Sequence, residues 1–150
     1  MSVHRYAARC SWSGSTGQGY EAYDRTHRVF APPAEDELTL SADPAFLGDE
    51  RLLDPEQLFV MAASSCQLLS FLALAARARV DVVSYEDEAD GVMDESDPPA
   101  RVQRIVLRPR IVAPGASEER VLALVGKAHR LCYIANSVTT EIAIEPRVEV

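Results

Sequence analysis

Two cysteines, Cys66 and Cys132, are the residues of this chain whose type and surroundings could carry redox chemistry. The third cysteine, Cys10, lies far from both, and three cysteines spaced this widely match neither a disulfide scaffold nor the paired ligands of a zinc site. Cys132 follows His129 and Arg130, which favour a thiolate. Two thiols on helices that pack into one core could form a disulfide if their Cα atoms lie within about 7 Å. Any disulfide in this chain would then form and break during function.

Each of these residues also has a simpler interpretation. A buried cysteine on its own behaves as a small, inert hydrophobe, and this applies to Cys66. Cys10 has no companion residue that suggests chemistry, so we expect it to be structural or incidental. His129 has no aligned acid partner, and a packed or capping histidine fits it better than a catalytic base. His4 and His27 lack ligand spacing with the cysteines, so no metal site is expected.

The element that must position Cys66 is a run of 19 residues without a charge, from 58 to 76. Asp54 is a good N-cap and Pro55 fits the first helical position. Arg79 would lie near the C-terminal end, where positive charge is favoured. The pattern predicts one long helix over residues 54–79.

This helix is long enough to raise the question of a membrane span, at about 1.5 Å of rise per residue and a hydrocarbon core of about 30 Å. No Trp or Tyr belt flanks it, and polar residues cluster in its middle. These are Ser64, Ser65, Gln67 and Ser70. A helix that is apolar all round is typical of a protein's buried centre. We therefore expect a core helix and no membrane partner.

The remaining patterns predict the element order β-β-β-α-β-β-α-β, with antiparallel hairpins. Such an order favours the α+β class, and 150 residues fit a single domain spanning 1–150. The second helix should begin at the N-cap Ser117 and end near Cys132. The predicted strands cover residues 3–12, 20–31, 38–41, 80–96, 100–114 and 139–150.

The charge balance excludes one large class of partner. A formal net charge of −8 argues against nucleic acid, which requires a clustered basic face. The arginines between 101 and 110 alternate with apolar residues and are read as a solvated strand face. The N-terminus lacks the apolar core of a secretory signal, so we expect a cytoplasmic protein whose thiols are reduced at rest.

Two motifs together resemble the OsmC/Ohr family of thiol-dependent peroxide reductases. The first is DPEQLFVMAASSC at 54–66, and the second is AHRLCYIANSV at 128–138. Members of that family carry an [ND]-P-E-[EQ]-L motif, an alanine-rich stretch and a first cysteine, then a second cysteine after an Ala-His pair on a later helix. The resemblance covers nearly the whole chain. It implies the family's OsmC-like α+β fold, with antiparallel sheets packed around two long helices.

The resemblance also implies a reaction. Cys66 would be the peroxidatic thiol, which attacks a peroxide and becomes a sulfenic acid, and Cys132 would resolve it as a disulfide. An external dithiol would then reduce the disulfide. The partners implied are therefore a peroxide substrate and that reductant, and no cofactor is needed.

The family also uses a glutamate and an arginine near the reactive cysteine. The motif places the glutamate at Glu56, and Arg25, expected on the second strand, is our first choice for the arginine, with Arg28 and Arg51 as alternatives. Ten helical residues separate Glu56 from Cys66 by about 15 Å, so within one straight helix they cannot touch. A second subunit must bring them together, which agrees with the family's intertwined homodimers.

Two departures from the family pattern leave a second interpretation open. Many relatives have a proline after the second cysteine, where this chain has Tyr133, and His or Phe after the first, where it has Gln67. These departures favour, as the alternative, a non-catalytic dimer that binds a small apolar ligand or serves as a stress-related interaction module. An apolar cleft that prefers organic hydroperoxides could be lined by Phe59, Met61, Leu69 and Phe71, although plain core positions fit these four residues better.

Overall fold

Helix α1, Pro55–Arg77, begins where the sequence places its cap. The Gln57 backbone N–H donates to Asp54 Oδ1 at 2.7 Å, and the Gln57 side-chain oxygen accepts from the Asp54 N–H at 3.1 Å. This reciprocal pair is a capping box, which satisfies two N–H groups that a helix start leaves unpaired. The helix ends slightly before the expected Arg79, because that residue adopts a left-handed φ of 55°.

The computed structural model describes every residue from Met1 to Val150, and the chain divides into two units, Met1–Leu58 and Phe59–Val150. The first unit contains strands β1 (Arg9–Ser11), β2 (His27–Phe30) and β3 (Glu37–Leu40), which form an antiparallel sheet in sequence order. The third strand is where the sequence predicts it. The first two are shorter than the predicted strands, because only these residues pair in register.

In the second unit, each of the three long strands that the sequence predicts is divided in two. The halves pair in different sheets, with the orders β4-β7-β9 and β5-β6-β8. The six strands are β4 (Ser84–Asp87), β5 (Asp90–Met93), β6 (Val102–Leu107), β7 (Pro109–Val112), β8 (Glu141–Ile144) and β9 (Arg147–Glu149).

Polar contacts hold the point where these strands change sheets. Asp87, at the end of β4, accepts hydrogen bonds from the Ser64 hydroxyl on α1 and from the Arg108 N–H between β6 and β7, the latter at 2.6 Å. The Arg108 guanidinium pairs with Asp90 at the start of β5 and with Glu145 after β8. The Asp87 carboxylate and the Arg108 guanidinium therefore link all three divided strands to α1.

The sheets are mixed, whereas the sequence predicts antiparallel pairing. The hairpin pairs β4·β7 and β5·β6 are antiparallel, but β8 runs parallel to β6 and β9 parallel to β7. Helix α2, Glu118–Leu131, connects β7 to β8, and a helical crossover is what parallel neighbours require. The α+β class and the two long helices are confirmed.

Helix α2 starts as predicted and packs through one apolar face. The Ser117 side chain accepts a hydrogen bond from the Arg120 N–H at 3.3 Å, and two glutamates occupy the first turn. Its buried residues join those of α1 and the sheet β4-β7-β9 in the main core of the second unit. That core contains Phe71, Ala75, Val80, Ile111, Ala113, Val121, Val125 and Ala128, and a smaller cluster contains Ala63, Ile105 and Leu107.

The apolar helix α1 is covered on one face only within a single chain. Its buried residues, Ala63, Gln67, Phe71 and Ala75, repeat every four positions and form one stripe. Met61, Leu69 and Leu72 remain exposed, although α1 has the length and composition of a membrane span. A core helix passes the same test, and the mid-helix Ser64 and Gln67 bond to protein partners rather than facing lipid.

Candidate functional site

The structure brings the two candidate cysteines together. Cys66 lies half-buried on α1, and Cys132 caps the C-terminus of α2, where only 2% of its surface is exposed. Each thiol shifts the pKa of the other, which makes the two sulfurs neighbours, and both thiols are free. Cys10, on β1, is exposed. Of the three cysteines, only Cys66 and Cys132 form a pair.

The environment of Cys66 favours its thiolate. Burial raises the pKa of this thiol, but four donors around the sulfur together outweigh burial and lower the pKa below its usual value. In decreasing order they are the Ile134 N–H, the Cys132 S–H, the Tyr133 N–H and the Ser70 hydroxyl. Because three of the four donors come from the turn after α2, the thiolate depends on contacts that no local sequence pattern reveals.

Cys132 has the opposite bias. Burial raises its pKa, and the neighbouring Cys66 raises the pKa further, both by its hydrogen bond and by its charge. The N–H groups of Ala135, 3.5 Å from Cys132 Sγ, and of Ile134 act in the other direction without reversing the shift. As the pH rises, Cys66 therefore ionises before Cys132. A nucleophilic thiolate beside a protonated thiol is the arrangement that a two-cysteine redox cycle requires.

The turn that carries Cys132 is fixed by its own hydrogen bonds. Helix α2 ends because Cys132 leaves the helical region, with φ −65° and ψ 116°. The Asn136 side chain donates to the Arg130 carbonyl at 3.1 Å, and its backbone N–H donates to the Cys132 carbonyl at 3.0 Å. Ser137 donates from its hydroxyl to the Tyr133 carbonyl. These contacts give the sulfur of Cys132 a defined position.

Gln67, next to Cys66, links the two helices. Its side-chain amide donates to the Val125 carbonyl of α2 at 3.3 Å, and its side chain is fully buried. The Oε1 atom of Gln67 and the hydroxyl of Tyr85 are the two buried side-chain polar atoms without a partner. Tyr85 packs on Phe71, with ring centroids 5.8 Å apart. Burial raises the pKa of Tyr85 most, and the charges of Asp87 and Cys132 raise it further. Sequence reasoning noted Gln67 as a departure and Ser70 only as one of the polar residues of the apolar run, although its position four residues after Cys66 puts both on one face of α1. It missed Tyr85, for which no local signal exists.

Arg25 lies in the loop before β2, not on the strand where the sequence places it. Its guanidinium packs over the rings of Tyr20 and Tyr23, 4.7 Å and 4.0 Å from their centroids. It also donates to the Tyr23 carbonyl at 2.8 Å and to the Tyr20 carbonyl at 2.7 Å. The two rings and the two carbonyls hold the guanidinium of Arg25 in place. No carboxylate forms an ion pair with it.

The alternative arginines both form ion pairs with carboxylates. Arg28 pairs with Glu37 at 3.2 Å across β2 and β3, and Arg51 forms a two-point contact with Asp49 at 2.7 Å and 3.0 Å. Arg25 is therefore the one of the three candidates whose charge has no acidic partner. Glu56 lies half-buried in the first turn of α1, ten residues before Cys66 on one uninterrupted helix.

Of the four apolar residues considered for a cleft, two lie in or against the core, as the preferred interpretation expects, and two are exposed. Phe71 is fully buried in the main core, and Phe59 packs against the smaller cluster. Met61 and Leu69 are 47% and 64% exposed. The four side chains have different surroundings because their positions on α1 fall on different faces of the helix. His129 lies in the last turn of α2 and lines an open cavity of about 310 Å³ with Arg130, Ala135, Asn136, Thr140 and Ile142.

A family model described as OsmC-like protein matches residues 48–147, which include both cysteines and the turn after α2. The chain is a member of the OsmC-like family. An OsmC-like protein of unknown function from Vibrio cholerae is 32% identical, with a TM-score of 0.86 over 96% of this chain and 99% of that one. No curated protein matches the chain.

Two more distant structures carry functional names. One is an organic hydroperoxide resistance protein OsmC from Legionella pneumophila, 17% identical, with a TM-score of 0.71 over the full length of both chains. The other is an organic hydroperoxide resistance protein from Elizabethkingia anophelis, also 17% identical, with a TM-score of 0.71 over 99% of this chain and 97% of that one. At this identity the likeness shows that the OsmC-like fold is shared.

Proposed function

We propose that this OsmC-like protein is a thiol-dependent peroxidase that reduces organic hydroperoxides. The observation that carries the proposal is the neighbouring pair Cys66 and Cys132, in which the pKa of Cys66 is lowered and that of Cys132 is raised. The names of the relatives from Legionella and Elizabethkingia point to the same theme of peroxide resistance. The exposed thiol Cys10 has no part in the cycle.

The proposed cycle has three balanced steps. The Cys66 thiolate attacks the outer oxygen of the hydroperoxide, so that an S–O bond forms, the O–O bond breaks and the alkoxide takes a proton to leave as an alcohol. Cys132 then attacks the sulfenic acid, and water leaves as the disulfide forms. An external dithiol supplies two electrons and two protons to restore both thiols. This reductant requires a reducing compartment, so we place the protein in the cytoplasm.

We assign Glu56 and Arg25 to the same site as charged groups near the reacting sulfur. Arg25 suits this role because its cation is held by aromatic rings and lacks an acidic partner. Glu56 is about 15 Å from Cys66 along α1, given a rise of about 1.5 Å per residue. A homodimer would supply Glu56 from a second copy of the chain.

The dimer is supported by the surface of α1. Met61, Leu69 and Leu72 are large apolar residues left exposed on this helix in a single chain. Exposed apolar patches of this kind mark interaction sites, and a second copy is the partner that the proposed active site needs. An apolar surround beside Cys66 would also favour organic hydroperoxides over hydrogen peroxide.

The test is thiol mapping before and after one equivalent of cumene hydroperoxide. We expect a single Cys66–Cys132 disulfide that a dithiol reverses, measured by intact mass and peptide mapping after thiol labelling. Cys66→Ser should abolish peroxide consumption, and Cys132→Ser should trap a sulfenic acid on Cys66. The matched control is Cys10→Ser, which should consume peroxide at the rate of the unmodified protein.

The same experiment separates the peroxidase from the non-catalytic alternative. Three untouched thiols after treatment would contradict the peroxidase. That result would favour a dimer that binds a small apolar ligand, which should raise the melting temperature when a hydrophobic compound is added. A shared fold with a relative of unknown function is the observation that keeps this alternative in view.

A further inference from the structure

Gln67 is the one polar residue on the buried stripe of α1, whose other members are Ala63, Phe71 and Ala75. Its side chain is fully buried. The Nε2 atom donates to the Val125 carbonyl at 3.3 Å, while Oε1 has no partner. A buried acceptor without a partner costs about 1–3 kcal/mol, which an apolar side chain of similar size would avoid. The stability of the core therefore does not explain why this position carries an amide.

The hydrogen bond of Gln67 joins the two helices that carry the cysteines. Gln67 directly follows Cys66 on α1, and Val125 precedes Cys132 on α2 by about two turns, which return to nearly the same face. Within α2 the Val125 carbonyl also accepts from the His129 N–H, and the His129 carbonyl accepts from the Cys132 N–H at 3.3 Å. A short chain of hydrogen bonds therefore runs from the residue beside Cys66 to Cys132.

Contacts on both sides of this bond show where it lies along the helices. Arg120, in the first turn of α2, donates to the carbonyl of Ala78, just after α1. Gln67 bonds to Val125 further along α2, and the cysteine pair follows where α2 ends. Gln67 is the only residue within α1 whose side chain hydrogen-bonds a residue within α2. The amide is therefore the directional contact between the helices on the side where the cysteines lie.

Apolar contacts and a hydrogen bond constrain two helices differently. Burial of apolar surface is non-directional, whereas a hydrogen bond weakens steeply when its distance or angle changes. One buried polar group can therefore select a single register of two helices at a cost in stability, as a buried asparagine does in coiled coils. A slide of one helix by one residue would displace its sulfur by about 1.5 Å. Two sulfurs that must approach to about 2 Å in a disulfide are sensitive to such a displacement.

We propose that Gln67 is a positioning residue for the two-cysteine cycle: its buried amide fixes the register of α1 against α2, so that Cys66 and Cys132 lie where they can form a disulfide. The unpaired Oε1 is the energetic cost of that register. The proposal rests on the proposed function for its place in a peroxide cycle. The positioning itself is a property of the two thiols and is measured by exchange with glutathione.

The experiment is the thiol–disulfide equilibrium of the protein in glutathione buffers, in a Cys10→Ser background. One oxidised glutathione accepts two electrons and two protons from Cys66 and Cys132, so that the protein disulfide forms and two reduced glutathiones are released. Acid quenching, thiol labelling and peptide mapping give the oxidised fraction in each buffer. The resulting equilibrium constant is the effective concentration of one thiol at the other, and it needs no peroxide.

Gln67→Met and Gln67→Leu remove the amide and keep an apolar side chain of similar size. We expect both variants to lower the equilibrium constant by roughly tenfold, since a misplacement of about 1 Å costs up to about a hundredfold in reactions between positioned groups. Their melting temperatures in the reduced state should equal or exceed that of the parent, because the unpaired acceptor is gone.

Phe71→Leu is the matched control, one turn further along the same stripe. It removes apolar contacts in the main core and no hydrogen bond to α2. We expect it to lower the melting temperature while the equilibrium constant stays close to that of the parent. Positioning and packing are therefore separated, because each variant changes a different one of the two measured quantities.

An unchanged equilibrium constant in both Gln67 variants would overturn the positioning role. Failure of both variants to fold would overturn it too, because the amide would then serve the fold itself. A parent protein that forms no Cys66–Cys132 disulfide in any glutathione buffer would contradict both the positioning role and the proposed cycle. The expected shift in a protein that consumes no peroxide would refute only the proposed function.

Discussion

At the scale of single residues, two cysteines of the same type acquire different chemistry from their surroundings. Cys66 is half-buried among four hydrogen-bond donors, which lower its pKa despite burial. Cys132 is almost fully buried, and both this burial and the neighbouring Cys66 raise its pKa. The identity of the residue supplies the sulfur, and the donors around it decide which sulfur is the nucleophile.

The first prediction concerns the order of alkylation. Because the pKa of Cys66 is lowered and that of Cys132 raised, thiolate forms on Cys66 at lower pH, and its labelling by iodoacetamide should rise first as pH increases. Labelling of Cys132 should follow only at higher pH. Mass-mapped labelling rates from pH 5 to 10 measure this, with exposed Cys10 as the internal standard. Labelling of Cys132 ahead of Cys66 would contradict the assignment.

The second prediction concerns the hydroxyl of Tyr85, which is buried without a partner. Removing an unsatisfied buried hydroxyl costs no hydrogen bond, so Tyr85→Phe should leave the free energy of unfolding unchanged or raise it by about 1 kcal/mol. Urea unfolding measures the change. Tyr85→Ala is the comparison, since losing the ring that packs on Phe71 should destabilise by about 3 kcal/mol or more. A clear loss in Tyr85→Phe would mean that the hydroxyl has a partner.

At the scale of elements, each long strand predicted in the second unit is in fact two shorter strands, which belong to different sheets. Alternating polar and apolar residues continue through the change, so the pattern alone does not mark it. The division is instead held by side chains from separate segments, chiefly Asp87 and Arg108. The same carboxylate fixes Ser64, two residues before Cys66, and so ties the helix that carries the reactive sulfur to the sheets.

The third prediction tests that tie. Asp87→Ala leaves the Ser64 hydroxyl and the Arg108 N–H without their acceptor, and hydrogen bonds to a charged group contribute about 1.5–3 kcal/mol. We expect the free energy of unfolding to fall by about that amount. The matched control is Glu88→Ala, an exposed carboxylate one residue further along, which should change stability by less than about 0.5 kcal/mol. Equal losses in both variants would show that Asp87 has no special role.

At the scale of the whole molecule, a single chain leaves an unusual amount of its apolar helix uncovered. Leu69 is 64% exposed on the helix that carries Cys66, three residues further on. A helix apolar on every side is stable in water only when a second surface covers it. The homodimer is the proposed partner that both covers α1 and completes the site with Glu56.

The fourth prediction is that Leu69→Glu disrupts the dimer. A charge placed in an apolar contact must be desolvated without a partner, which is costly, so the variant should sediment as a monomer at concentrations where the parent is a dimer. Analytical ultracentrifugation gives the mass directly. Val83→Glu is a control of similar exposure off the helix and should leave the mass unchanged. If the parent protein is already monomeric, the proposed shared site is wrong.

The sequence by itself determined the features that depend on neighbouring residues. The N-cap at Asp54, the start of α2 at Ser117 and the α+β class follow from local hydrogen bonding and side-chain periodicity, and the two candidate cysteines follow from residue type and motif. The proposed roles of Glu56 and Arg25, the single domain and the cytoplasmic location stay predictions.

Only the tertiary structure decided what depends on contacts between distant segments. These include the division of the long strands and the parallel pairing of β8 with β6 and of β9 with β7. They also include the backbone donors that reach Cys66 from Tyr133 and Ile134, far along the chain. The reason is that a thiol's pKa is set by the charges and dipoles within a few ångströms of its sulfur, and these are brought there by packing.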